Sequence, residues 1–186
     1  VTFVLGSGRC GTFSLYKAFS TINSVEAYHE FFFEPTLRIA ALYHMKKISK
    51  KKVVQFLEEN HGFSISNSKN FFWIDSSNAL PWITDVLIEV FPKAKFVHLI
   101  RNGKKVVSSF YNKHNEIMYN QKDVIKLKDF LQKKRKYLSS EKKYWRPIPI
   151  NNKKELEFFL KKSQFTKICK YWTEINIKID NCLILS

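Results

Sequence analysis

Residues 6–12, Gly-Ser-Gly-Arg-Cys-Gly-Thr, set a cation, a thiol and two hydroxyls among three glycines. That mixture suits the holding of an anion. Glycines let a chain turn tightly enough for consecutive backbone N–H groups to converge, and a following helix adds the positive end of its dipole. Gly6, Gly8 and Gly11 permit the turn, Arg9 supplies charge, and Thr12 brings a hydroxyl to the first helical turn. Nucleotide triphosphatases end such a loop in Gly-Lys-Ser/Thr to grip magnesium, whereas Arg9-Cys10-Gly11-Thr12 places its cation two residues before the last glycine. A phosphatase loop of the Cys-x5-Arg type would need arginine where Tyr16 stands, and no Gly-x-Ser-x-Gly elbow is present in the loop. A second basic group follows at Arg101-Asn102-Gly103-Lys104-Lys105, with Ser109 eight residues after Arg101 and Ser108 beside it.

Both groups sit where strands are expected to end. Residues 1–5, VTFVL, read as a buried parallel strand, and Leu15, Ala18, Phe19 and Ile22 then recur at helical spacing. Two helices are expected over 35–60. A strand over 70–75 is expected to end on Asp75, and a helix starts near Pro81 and carries Ile83, Val86, Leu87, Val90 and Phe91. A strand over 94–100 precedes a helix marked by Val106, Val107, Phe110 and Tyr111. The lysine-rich stretch 121–162 reads as mostly helical. Tyr171, Trp172, Ile175 and Ile179 mark a further helix, ahead of a last strand near 182–186. Strands alternating with helices predict one α/β domain over 1–186 with a mainly parallel sheet, and ligands of such sheets bind beyond the carboxyl ends of the strands.

Bulk properties narrow the partners. Lys+Arg 32 against Asp+Glu 16 gives a formal net charge of +16, which favours polyanionic ligands. Hydrophobic content of 45% is ordinary for a folded domain, and no apolar run is long enough to span a bilayer. Cys10, Cys169 and Cys182 lack metal-ligand spacing and cannot all pair, which favours a reducing, cytoplasmic setting. Both ends of the chain read as cut.

The loop in FVLGSGRCGTFSLYKAF resembles the 5′-phosphosulfate-binding loop of sulfotransferases that use 3′-phosphoadenosine 5′-phosphosulfate. FPKAKFVHLIRNGKKVVSSFY resembles the same family's 3′-phosphate segment, in which serine follows arginine at the interval of Arg101 and Ser109. Trp172 and the terminal NCLILS fit the family's order of a late helix and strand. The resemblance implies a three-layer α/β/α fold of the P-loop nucleotide triphosphatase kind. It further implies a donor held by Ser7, Gly8, Arg9, Cys10, Gly11, Thr12 and Phe13 at one end and by Arg101 and Ser109 at the other. Sulfuryl transfer of this kind needs no metal. Glu30 is the first candidate for the base that activates a hydroxyl acceptor, with Asp75 and His29 behind it; an anionic glycan would suit the charge. Departures stand beside the matches: Phe13 replaces a small hydroxylated residue, Gly103 a proline, and Ser76 the lysine that many members carry after an acid. The alternatives are a small-molecule kinase on the same fold and a non-catalytic basic domain stacking nucleic-acid bases on residues such as those of KKYWR; no nucleic-acid-binding motif supports the latter.

Overall fold

A computed structural model describes residues 1–114, 118–119, 147 and 153–184. Four parallel strands, β1 (Thr2–Leu5), β2 (Val25–His29), β3 (Phe72–Ser77) and β4 (Lys95–His98), form a sheet in the order β2-β3-β1-β4. β1 lies inside the sheet, and Phe3, Val4 and Leu5 are buried, as an unbroken apolar run covered on both faces requires. Among the described residues the helices are α1 (Thr12–Phe19), α2 (Phe33–His44), α3 (Lys50–Leu57), α4 (Phe63–Asn67), α5 (Thr84–Val90), α6 (Gly103–His114), α7 (Lys153–Lys161) and α8 (Gln164–Ile184). A π turn at Glu58–Gly62 joins α3 to α4, and a 3-10 turn at Leu80–Ile83, with Pro81 in its first positions, leads into α5. The architecture is a three-layer α/β/α arrangement around a parallel sheet.

The core gathers Phe3 and Leu5 from β1, Trp73 from β3, and Val106, Val107 and Phe110 from α6. α8 closes it with Ile168, Tyr171, Ile175 and Ile179, one stripe at helical spacing. Trp73 and Phe3 meet edge-on at 5.6 Å, a geometry that aromatic pairs favour beyond simple burial. Among the described residues, no helix is long and apolar enough to cross a membrane.

Four expectations differ from this fold. The strand expected near 182–186 is absent over 182–184: α8 continues through Cys182, Leu183 and Ile184. Leu183 stands four residues after Ile179 and packs against the core, so the helical stripe simply continues. A short apolar run carries no period of its own to decide between strand and helix. β2 was not foreseen, because VEAYH is half-buried throughout and shows no alternation. β3 runs two residues past Asp75, which therefore lies within the strand rather than at its end. β4 is shorter at both ends than the expected 94–100. The expectation for 121–152 falls outside the described residues except at Pro147, and Lys153–Lys161 is helical as expected.

Candidate active site

The loop after β1 is built around what its glycines leave room for. A Cβ on Gly6 would stand 2.6 Å from Cys10 Sγ and 2.9 Å from the Leu99 carbonyl oxygen, so only glycine lets the loop close there. Gly8, Arg9 and Gly11 have φ of 78°, 56° and 114°, the left-handed conformations in which neighbouring N–H groups can form an anion-binding concavity. Tyr171 Oη donates to the Ser7 carbonyl at 2.9 Å, and Ser76 Oγ donates to the Thr12 carbonyl at 3.0 Å. Phe110 and Asn78 lie against Gly8. The loop is thus braced from α8, β3 and α6. Cys10 is buried, and burial pushes its thiol above the ordinary range, so it fills space under Gly6 rather than serving as a nucleophile. No acid stands in the first turn of α1, which leaves the positive end of that helix uncompensated.

The second basic group lies immediately beside this loop. β1 and β4 are neighbours, with Leu5 level with His98, and Leu99 N donates to the Leu5 carbonyl at 2.8 Å. Arg101 Nη1 donates to the Arg9 carbonyl at 3.1 Å, and Arg9 Nε donates to Ser109 Oγ at 3.0 Å. Arg9, Arg101 and Ser109 therefore form one bonded group although they lie 92 and 100 residues apart in sequence. Ser108 points elsewhere and accepts from Asn112 Nδ2. Asn102 Oδ1 accepts the Lys105 N–H at 3.3 Å and caps α6. Lys104 and Lys105 then put positive charge where the helix dipole is already positive, an arrangement that an incoming anion would relieve. The glycine of Arg-Asn-Gly has a steric cause: a Cβ on Gly103 would meet the Trp172 ring at 2.9 Å.

The third wall comes from the end of β2. His29 Nε2 lies 3.3 Å from Thr12 Oγ1, and burial holds its imidazole below the usual histidine range, so the ring is neutral near pH 7. Phe13, half-exposed, meets His29 edge-on at 5.3 Å, with Lys17 over the Phe13 ring. Glu30 has φ of 61°, and its N–H donates to the Ser76 carbonyl at 3.1 Å. Asp75 is wholly buried behind this turn, and Phe31 N–H donates to its Oδ1 at 3.1 Å. Burial pushes the Asp75 carboxyl up to about 7, the Phe31 N–H opposes that rise and the nearby Glu30 charge adds to it. The structure thus brings together Ser7, Gly8, Arg9, Cys10, Gly11, Thr12, Phe13, His29, Arg101 and Ser109 at the carboxyl edge of the sheet, with Glu30 in the adjoining turn. It sets Asp75 beneath the surface.

Tyr171, Asn78 and the Ser76 hydroxyl escaped the sequence reading. Tyr171 carried only a helical-period signal, and its hydroxyl bond spans 164 residues. Ser76 had a signal in its departure from the lysine pattern, but nothing in the sequence says that its hydroxyl braces Thr12. Among the described residues, no group of three or more histidine, cysteine or carboxylate side chains could hold a metal ion.

A family model described as a sulfotransferase domain matches residues 2–163. No curated protein and no solved structure matches the chain.

Proposed function

Because the chain belongs to the sulfotransferase domain family, we propose that it moves a sulfuryl group from 3′-phosphoadenosine 5′-phosphosulfate to a hydroxyl acceptor. The observation that supports this donor most is the contact of Arg9 with both Arg101 and Ser109. Two anion-binding segments far apart in the chain meet at the exits of adjacent strands, as a ligand with two phosphate ends requires.

In this reading the loop N–H groups, Thr12 and Arg9 hold the 5′-phosphosulfate, and Arg101 with Ser109 holds the 3′-phosphate, where a guanidinium can grip two oxygens at once. Transfer of this kind is governed by positioning and charge stabilisation. The acceptor oxygen forms its bond to sulfur as the bond from sulfur to the bridging oxygen breaks. Adenosine 3′,5′-bisphosphate leaves with that electron pair, and Arg9 offsets the charge growing on the bridging oxygen. The acceptor proton goes to a base. His29 has the supporting geometry, being neutral and beside Thr12, and Glu30 is the neighbouring candidate. The basic surface, with Lys17, Lys104 and Lys105 exposed around the site, suits an anionic acceptor such as a charged glycan.

Thermal-shift measurements test the donor class. Adenosine 3′,5′-bisphosphate with EDTA is expected to stabilise the protein. A response confined to magnesium-ATP would turn the reading to a kinase, and one confined to a single-stranded oligonucleotide would turn it to a nucleic-acid-binding domain.

A further inference from the structure

Asp75 is the one charged candidate that the fold withdraws from solvent, and its contacts give it a different task. It is 0% exposed, its Oδ1 accepts Phe31 N–H at 3.1 Å, and its Oδ2 has no hydrogen-bond partner among the described residues. The turn that it touches, between β2 and α2, carries two non-glycine residues in the left-handed region, Glu30 at φ 61° and Phe32 at φ 51°. L-residues avoid that region because Cβ crowds the backbone carbonyl, so surrounding contacts must hold the turn. Three do so. Glu30 N–H donates to the Ser76 carbonyl at 3.1 Å, Thr36 Oγ1 donates to the Phe32 carbonyl at 2.8 Å, and Asp75 accepts from Phe31 between them. Two of these anchors come from consecutive residues of β3, so the sheet itself sets where the turn stands. His29 immediately precedes the turn and Glu30 opens it.

We propose that Asp75 is a positioning residue: by accepting the Phe31 N–H it fixes the strained turn that presents His29 and Glu30 to the hydroxyl acceptor, and it does not itself take the acceptor's proton. A wholly buried carboxyl behind the turn cannot touch an acceptor in front of it. The catalytic part rests on the sulfotransferase reading, whereas the backbone part stands on the hydrogen bonds alone.

Two variants separate the roles. Asp75→Asn keeps an oxygen for the Phe31 N–H but cannot accept a proton, whereas Asp75→Ala loses the anchor. Each variant is followed by hydrogen exchange at the Phe31 amide, by bisphosphate affinity, and by kcat and KM for the acceptor. Asp75→Asn is expected to keep the Phe31 amide protected and kcat close to that of the unaltered protein. Asp75→Ala is expected to speed Phe31 exchange by about tenfold, the worth of one lost hydrogen bond. Its kcat falls by about 100-fold, as a displaced catalytic group would cause, while bisphosphate affinity holds. Loss of kcat in Asp75→Asn with Phe31 still protected would identify Asp75 as the base and overturn the proposal. Unchanged exchange and kcat in Asp75→Ala would overturn it as well. Should Asp75→Ala fail to fold, Asp75→Asn alone still decides between base and anchor. Failure of bisphosphate to bind the unaltered protein would instead remove the donor reading, while the exchange measurement would still decide whether the anchor exists.

Discussion

Replacing Asp75 by asparagine has a consequence for stability that its burial sets. In the folded protein the carboxyl is pushed up from 3.8 to about 7, chiefly by loss of solvent, and in the unfolded chain it returns to the ordinary value. Between those two values the folded state holds a proton that the unfolded state has released. The contribution of Asp75 to stability is therefore greatest below pH 4, falls as pH rises toward 7, and stays lower above that. A shift of about 3 units at about 1.4 kcal/mol each gives a total near 4 kcal/mol. Asparagine does not titrate, so the stability of Asp75→Asn minus that of the unaltered protein is expected to climb by about 4 kcal/mol from pH 4 to pH 8. Taking the difference cancels the opposite slope of His61, whose buried ring is pushed down to about 4 and whose contribution is lost as pH falls from 6.5 through 4. Urea unfolding of both proteins at each pH, with equal m-values, reads the difference directly. A difference that does not change with pH, or that grows toward acid, would refute the argument, because the carboxyl would then ionise in the folded state as easily as in the unfolded one.

Other perturbations bear on the site. Arg9→Ala is expected to lower kcat by about 10²–10³, the usual loss on removing one transition-state donor, with bisphosphate affinity much less affected; equal losses in both would make Arg9 a simple binding residue. His29→Ala is expected to cost about 10²–10⁴ in kcat/KM and to abolish an acid limb lying below the usual histidine range, since burial holds the ring neutral to lower pH; an unchanged limb would pass the role of base to Glu30. Gly103→Ala forces a Cβ toward the Trp172 ring and is expected to destabilise by about 1–3 kcal/mol, read as a lower urea midpoint.

What was legible in the sequence was local. The glycine loop, the Arg-Asn-Gly segment and the helix carrying Ser109 each declare themselves within a dozen residues, because backbone turns and helix starts have short-range causes. The period of Tyr171, Trp172, Ile175 and Ile179 likewise reports a helix that packs on the core, and the structure adds Ile168 to that stripe. What was not legible depended on partners distant in sequence. β2 exists because Val25 to His29 pair with Phe72 to Ser76, a match that no property of VEAYH announces. In sequence Asp75 reads as a candidate base at a strand end; two further serines extend β3 and enclose it, one bonding the Thr12 carbonyl and the other capping the turn at Ala79 and Leu80. The triplet Cys182-Leu183-Ile184 takes the conformation of the helix before it, since Leu183 continues a stripe that the core already receives.

In the proposed function, two adjacent cationic groups hold the two phosphate ends of one nucleotide. Isothermal titration in EDTA of adenosine 3′,5′-bisphosphate and of AMP, with the unaltered protein and with Arg101→Ala, measures it directly. The expected result is that bisphosphate binds more tightly than AMP by about 10–100-fold, the worth of charged hydrogen bonds to one phosphate, and that Arg101→Ala erases the difference. Equal affinity for the two nucleotides, or a difference that survives Arg101→Ala, would contradict it.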